Sequence, residues 1–549
     1  MTTASDIFVK ALENEGVRYI FGIPGEENID FLEALRKSSI EFILTRHEQG
    51  AGFMADVYGR LTGKAGVCLS TIGPGATNLL TAVADANLDR SPLVAITGQA
   101  DTLRMHKESH QYIDIVSMFR PVTKWNTSIP RADVVAEAVR KAFKIAEAEK
   151  PGATHLEFPE NVAEEECRDP FVFEPRKVRR PAPDHKAVAQ ACALINAARK
   201  PIVLAGNGTV RKRATAQLRA FLDKTGLAVC NTFMGKGAAG IKYERNLYTI
   251  GLQARDYVTC ALEEADLVIC IGYDIVEYSP RFWNPDGDKK IIHIDFEQAE
   301  VDYWYHPEVE LVGDIAGSLW AINEQLGDDF DRSKGDFADK HRERVLAMIH
   351  EYDNDTSFPY KPQKILHDIR QGMRAEDILI SDVGAHKMWI ARMYLVYAPN
   401  TCLISNGFAT MGIALPGGIA AKLACPDSNV LTISGDGGFL MNIQELETAV
   451  RLGTPTVNMI WTDGTFGLIE WHQRKKFGEA FGTKFGNPDW VALAESFGAV
   501  GIQVREGDNL TEVLKKAFTY DKPVVIACPV DYSENIKLTE RLGQLVCPL

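Results

Sequence analysis

Short apolar runs alternate along this chain with amphipathic stretches. Phe42-Ile-Leu-Thr45 reads as a strand and is followed by a helical pattern from Gln49 to Leu61. Gly66 to Ile72 is a second apolar run, closed by a Gly-Pro-Gly turn and a helix from about Asn78, and Leu93 to Thr97 is a third. These strands do not alternate apolar with polar residues. Continuous apolar strands separated by amphipathic helices predict a parallel sheet buried on both faces.

The pattern breaks twice. Glu164 to Lys186 is charged and rich in proline and reads as a linker. A second α/β pattern follows, with strands at Pro201–Ala205, Leu227–Cys230, Leu267–Ile271 and Ile291–Ile294. Another charged stretch, about 328–359, closes it. The third pattern has strands at Ile378–Ser381, Val430–Ser434, Thr456–Ile460 and Val524–Ala527. The expected architecture is α/β, with three doubly wound parallel-sheet domains at 1–170, 186–328 and 358–549. Ligands of such sheets sit outside the carboxyl ends of the strands, so chemistry is sought in the loops there.

The length of 549 residues fits three domains at roughly 100–200 residues each. A formal charge of −14 argues against nucleic acid as the main partner, because binding its backbone needs clustered Lys and Arg. It leaves room for small anions held by glycine-rich loops. The 10 cysteines form no CxxC pair, and several lie in apolar runs, so reduced, buried thiols are expected. The first residues lack a basic segment followed by an apolar one, and no run of about 18 apolar residues occurs. No secretory leader and no membrane span are expected, which points to the cytoplasm.

The strongest chemical signal lies in the third pattern. The strand ending at Ser434 runs into Gly435-Asp436-Gly437-Gly438, and the strand after the next helix runs into Thr462-Asp463-Gly464-Thr465. Both aspartates then lie at one sheet edge. Mg²⁺ suits such a place, since it takes one or two carboxylates together with phosphate oxygens. Gly437 and Gly438 let backbone N–H groups approach a diphosphate at a helix N-terminus. A plain Asp-Gly turn is the bland alternative, and the second aspartate weighs against it.

These residues resemble the thiamine diphosphate enzymes. The resemblance implies that Asp436 and Asp463 give side-chain oxygens to Mg²⁺ and Thr465 its main-chain carbonyl, although Thr-Asp-Gly stands here where many relatives have Asn-Asn. It implies that Glu48, in Arg46-His-Glu-Gln-Gly-Ala51, contacts the aminopyrimidine ring and drives its tautomerisation. Alone, Glu48 reads as an ordinary carboxylate in a helix's first turn. Met411 would prop the cofactor into a bent shape, where otherwise it reads as a core methionine. The first domain would touch the cofactor through Pro24, Gly25, Thr71, Pro74 and Asn78. The third would do so through Val383, Gly384, Ala385, His386, Gly407, Ala409, Gly435, Phe466, Gly467 and Leu468.

Within that family the chain is most similar to acetolactate synthases, in stretches such as RHEQGAGFMA (46–55), HQYIDIVSMFRPVTK (110–124) and GDGGFLMNIQELETAV (435–450). Such an enzyme decarboxylates one pyruvate and joins the two-carbon product to a second. Gln111 matches a glutamine lining the substrate site and Lys124 a lysine near its entrance. His472 stands where relatives carry Trp or Gln, and Gly25-Glu26-Glu27 replaces small residues, so a different acceptor keto acid is the alternative reading. A non-catalytic paralogue has no need of Glu48, Asp436, Asp463 and Met411 together. The central domain lacks the Arg-Phe-Asp-Asp-Arg run of the flavin-containing branch, so flavin adenine dinucleotide (FAD) is not expected. Thr232-Phe-Met-Gly-Lys-Gly237 is nevertheless similar to that branch. Gly235 to Gly240 matches GxGxxG by letter but is not followed by a convincing helix. The resemblance also implies a homodimer or homotetramer with the active site between chains, and leaves a regulatory subunit open.

Overall fold

The computed structural model describes residues 2–168, 170–176, 180–251 and 256–538. Three six-stranded sheets follow one another along the chain, each parallel throughout and flanked by helices. The strands before the first linker are β1 (Thr2–Thr3), β2 (Tyr19–Gly22), β3 (Glu41–Leu44), β4 (Gly66–Ser70), β5 (Leu93–Gln99), β6 (Trp125–Ser128), β7 (Ala153–Pro159) and β8 (Glu166–Cys167). The first sheet has the order β3-β2-β4-β5-β7-β6, while β1 and β8 form a small antiparallel pair. Every residue of β4, β5 and β7 is buried, the reason these strands lack alternation.

The second sheet contains β9 (Pro201–Ala205), β10 (Ala228–Asn231), β11 (Asn246–Thr249), β12 (Leu267–Ile271), β13 (Lys290–Asp295) and β14 (Val309–Val312), in the order β11-β10-β9-β12-β13-β14. The third contains β15 (Ile378–Ser381), β16 (Cys402–Ile404), β17 (Val430–Gly435), β18 (Val457–Thr462), β19 (Val500–Gln503) and β20 (Val524–Pro529), in the order β16-β15-β17-β18-β20-β19. The strand order reverses between β2 and β4 in the first sheet and between β15 and β17 in the third. Each reversal opens a crevice at the carboxyl ends of the strands.

The first and third sheets are joined by a shared core. The helix Glu48–Thr62 is rich in Gly and Ala and lies between helices Pro74–Leu88 and Ala414–Ala424. A Cβ on Gly52 would come within 2.5 Å of Ala82 Cβ, and one on Gly417 within 2.8 Å of Val57 Cγ2. Side chains of this size let the three helices approach closely.

One segment gains detail and one expectation needs correction. The charged stretch at 328–359 is largely helical, with helix Asp339–Ile349 burying His341, Val345 and Ile349 on one face. Spacing of four residues places these on a common stripe, and the charges occupy the remaining surface. Among the described cysteines, 8 are free, but Cys260 is disulfide-bonded. Pairing depends on tertiary proximity, which spacing along the chain does not reveal. No helix among the described residues is long and apolar enough to cross a membrane.

Candidate active site

The third sheet carries a cavity of about 190 Å³ at its switch point. Val383, Gly384, Ala385 and His386 reach it from the turn after β15, and Ala409 and Met411 from the loop after β16. Gly435 to Gly438 reach it from the end of β17, and Asp463 and Thr465 to Leu468 from the turn after β18. All these residues were anticipated from the sequence. Ile469 and Tyr532 complete the lining.

Two helices of nine residues or more start at the cavity, Ala385–Met393 and Gly467–Phe477. Their free N–H groups and dipoles favour an anion there. Gly437 and Gly438 hold the floor: a Cβ on Gly437 would come within 2.7 Å of Phe466, and one on Gly438 within 3.1 Å of Asp382 Oδ2. His386 is buried with Nε2 unpartnered, and burial holds its imidazole neutral, near a pKa of about 3.

The two aspartates meet as their positions required. Asp436 Oδ2 accepts from Asp463 N–H at 3.0 Å, Gly464 N–H at 2.7 Å and Asn487 Nδ2 at 2.8 Å. Its other oxygen accepts from Gly437 N–H at 2.9 Å. Burial, and then the charge of Asp436, push the Asp463 carboxyl up to about 7. A cation bound at this turn would favour the ionised form of Asp463. The Thr465 hydroxyl is already committed to Glu470 Oε2 at 2.7 Å and Thr483 carbonyl at 3.1 Å. The main-chain carbonyl of Thr465 offers a second oxygen at this turn beside the hydroxyl's lone pairs. Asn487 lies beyond the motif spacing, and no local signal marks it.

The loop bearing Met411 is held from the first domain. Asp85 and Asp89, at the end of helix Pro74–Leu88, accept six hydrogen-bonding groups between them in this region. Asp85 takes Ser405 Oγ at 2.9 Å, Thr410 Oγ1 at 2.6 Å and Thr410 N–H at 3.2 Å. Asp89 takes Asn406 N–H at 3.2 Å, Gly407 N–H at 2.5 Å and Arg60 Nη1 at 3.3 Å. Lys387 donates to the Ser405 carbonyl at 3.1 Å. Ala409 is thereby kept at a φ of 59°, a left-handed conformation costly for alanine. Gly412 follows at a φ of 92° and donates to Asp382 Oδ1 at 2.8 Å. Gly407 belongs to this clasp and does not line the cavity. Neither aspartate carries a sequence motif; only the packing of the two domains reveals them.

The first sheet gathers a second group at its own switch point. Glu48 opens its helix, is buried, and accepts from Asn78 Nδ2 at 3.0 Å. Gly25 packs so closely on Thr71 that a Cβ would lie 2.2 Å from its Cβ, and Thr71 Oγ1 donates to Glu27 at 2.7 Å. Pro24 precedes this contact, and Pro74 begins the helix bearing Asn78. Gly73, at a φ of 49°, leaves space for the Gln111 carbonyl, which would lie 2.5 Å from a Cβ there. From the third domain, buried Glu445 accepts the N–H groups of Arg46 at 3.1 Å and His47 at 3.0 Å, fixing the turn that presents Glu48.

This first-domain group does not line the cavity of its own chain. Two anticipated residues stand apart from both groups. Lys124 lies at the amino end of β6, where its ammonium caps helix Val135–Glu147 through the carbonyls of Ile145, Ala148 and Lys150 at 2.6–2.9 Å. An expected place at the substrate entrance gains no support from that position. His472 is exposed, one turn beyond the cavity on helix Gly467–Phe477, with its ring 4.6 Å from Trp471.

Comparison with known proteins agrees with this arrangement. Residues 2–118 match the N-terminal TPP binding domain of thiamine pyrophosphate enzymes, 188–322 their central domain and 382–528 their C-terminal TPP binding domain. The chain is 37% identical to an acetolactate synthase of Bacillus subtilis, over 99% of this chain and 96% of that protein. It is 36% identical to a catabolic acetolactate synthase of Raoultella terrigena, over 98% and 97% respectively. A probable acetolactate synthase large subunit of Methanocaldococcus jannaschii is 35% identical over 98% of this chain and 94% of its own length. With three thiamine-pyrophosphate domains in order and near-complete alignment to these relatives, the chain is a thiamine diphosphate-dependent enzyme and belongs to the acetolactate synthase family.

Proposed function

We propose that this enzyme is an acetolactate synthase, converting two pyruvates and a proton into 2-acetolactate and CO₂. The observation that carries the reading is the meeting of Asp436, Asp463, Gly437, Gly438 and Met411 in one cavity of a chain whose relatives bear that name. The residues fit the cofactor: the helix N-termini suit its diphosphate, and the crowded carboxylates with the Thr465 carbonyl suit Mg²⁺. Bound thiamine diphosphate supplies the electron sink for loss of CO₂. Met411, on its clasped loop, props the cofactor's shape. Glu48 holds a proton at the aminopyrimidine, and Gln111 orients the keto acid.

The working unit in this reading is at least a homodimer. Glu48, Asn78 and Thr71 serve the cavity of the partner chain, because they do not line their own. The cavity is also smaller than the roughly 300–1,000 Å³ typical of sites that enclose a ligand. Phe408, Met441 and Ile469 are 45–53% exposed near its rim, as an apolar interface requires.

The enzyme is further read as working without flavin. In the second domain, Gly208 and Gly272 approach so closely that a Cβ on Gly272 would lie 2.5 Å from Gly208 Cα. Glu277 ties the same turns together, accepting Asn207 N–H at 3.0 Å and Met234 N–H at 3.3 Å. Residues 235–240 open no helix.

The test is product analysis with pyruvate, thiamine diphosphate and Mg²⁺, with and without added FAD. One acetolactate per CO₂, independent of FAD, supports the proposal. Acetaldehyde with CO₂, or no turnover of pyruvate, moves the function to another keto-acid enzyme of this family, with Glu26 and His472 the first positions to vary.

A further inference from the structure

A cluster of metal-binding groups lies outside the cavity, in the segment between the second and third sheets. His350 follows helix Asp339–Ile349, and Asp353 N–H returns to its carbonyl at 3.4 Å. That turn sets Asp353 Oδ2 at 2.8 Å from His350 Nδ1. His367, midway along helix Pro362–Gly372, approaches from the other side, with Nδ1 at 2.9 Å from Asp353 Oδ1. One carboxylate thus has an imidazole at each oxygen, and the three residues' ligand atoms lie within 4.8 Å of one another. Lys364 fixes the turn to the helix, donating to the Asp353 carbonyl at 3.1 Å and to Asp368 at 2.8 Å.

We propose that His350, Asp353 and His367 bind a divalent late first-row transition ion that staples this connecting segment to the first helix of the third domain. A tetrahedral ion with bonds of about 2.0–2.1 Å holds neighbouring ligand atoms about 3.3 Å apart, so the hydrogen-bonded separations of 2.8 and 2.9 Å need to open by only a few tenths of an ångström to admit it. Two imidazoles and a carboxylate select Zn²⁺, Ni²⁺ or Cu²⁺ over Mg²⁺, which prefers all-oxygen sets such as Asp436 and Asp463. The site is open to solvent, because the His350 side chain is 51% exposed, so an ion can enter and water can fill its remaining positions. None of the three residues lines the cavity of the third domain. The proposal is therefore independent of the reaction assigned above.

The test uses the full-length enzyme, stripped with a chelator and then held in excess thiamine diphosphate and Mg²⁺. Zn²⁺ is titrated by calorimetry and by thermal unfolding. The wild type is expected to take one Zn²⁺ per chain and to unfold at higher temperature as Zn²⁺ rises. His350→Ala and His367→Ala are expected to weaken binding by more than about 100-fold, beyond the 10–100-fold cost of losing an outer-shell partner. His350 is exposed enough for its alanine variant to fold. His306→Ala, at an exposed histidine elsewhere, should bind as the wild type does. The proposal is overturned if the wild type takes no Zn²⁺ with the Mg²⁺ site saturated. It is overturned equally if both histidine variants keep the wild-type stoichiometry and affinity, which would leave the cluster a hydrogen-bonded bridge.

Discussion

Replacing Asp85 by alanine removes the acceptor for Ser405 Oγ, Thr410 Oγ1 and the Thr410 amide, all inside the interface between the first and third domains. A buried donor left unpaired costs about 1–3 kcal/mol. The two hydroxyls can turn to other acceptors, whereas the amide cannot, so the net loss is about 2 kcal/mol. Burial and the neighbouring Asp89 and Asp56 hold the Asp85 carboxyl well above its usual range. The loss falls on the loop that sets Ala409 at positive φ and carries Met411 into the cavity. At about 1.4 kcal/mol per decade, thiamine diphosphate affinity should weaken by roughly 10–100-fold. Asp85→Asn keeps one acceptor oxygen and should lose less than about tenfold. The assay is cofactor titration of the apoenzyme by fluorescence, with circular dichroism to confirm the fold and turnover measured at saturation. A folded Asp85→Ala enzyme with unchanged cofactor affinity and turnover would refute the claim that this clasp positions the loop.

Glu48→Gln preserves shape and the contact with Asn78 but cannot hold the proton, so turnover at saturating cofactor should fall roughly 10²–10⁴-fold, as steady-state kinetics will show. Mixing Glu48→Gln and Asp463→Ala chains before assembly tests the shared site. Random dimers regain roughly a quarter of wild-type activity if each site draws on two chains, and essentially none if each chain is self-sufficient. Buried His155, stacked on Phe119 at 4.1 Å, is pushed down to a pKa of about 3 by burial. The unfolded chain therefore takes the proton first as pH falls below about 6.5. The stability this group provides is present above that pH and lost on descent towards 3. By about pH 5 the wild type should lose about 2 kcal/mol relative to His155→Gln, read as a narrowing gap between their urea midpoints measured at pH 7 and pH 5.

Much of this molecule is written in local patterns. Fully buried parallel strands need apolar residues on both faces, so runs such as Leu267–Ile271 and Val430–Ser434 announce themselves. The two Asp-Gly turns were legible for a related reason: Asp436 and Asp463 follow strands that pair side by side, so one βαβ unit brings them together. Local sequence could not reveal what depends on contact between distant segments. Asp85 and Asp89 look like ordinary helix residues until the loop at 405–410 packs against them. Glu445 reaches the turn before Glu48 from almost 400 positions away. Lys124 sits beside a motif yet caps a helix, because the amino end of β6 lies next to that helix's terminal carbonyls. Sequence determined the layers and the chemistry of each loop, since strand burial and turn geometry are short-range. Tertiary structure alone decided which buried carboxylates hold the Met411 loop and that Glu48 lies outside its own chain's cavity, because both follow from how whole sheets pack.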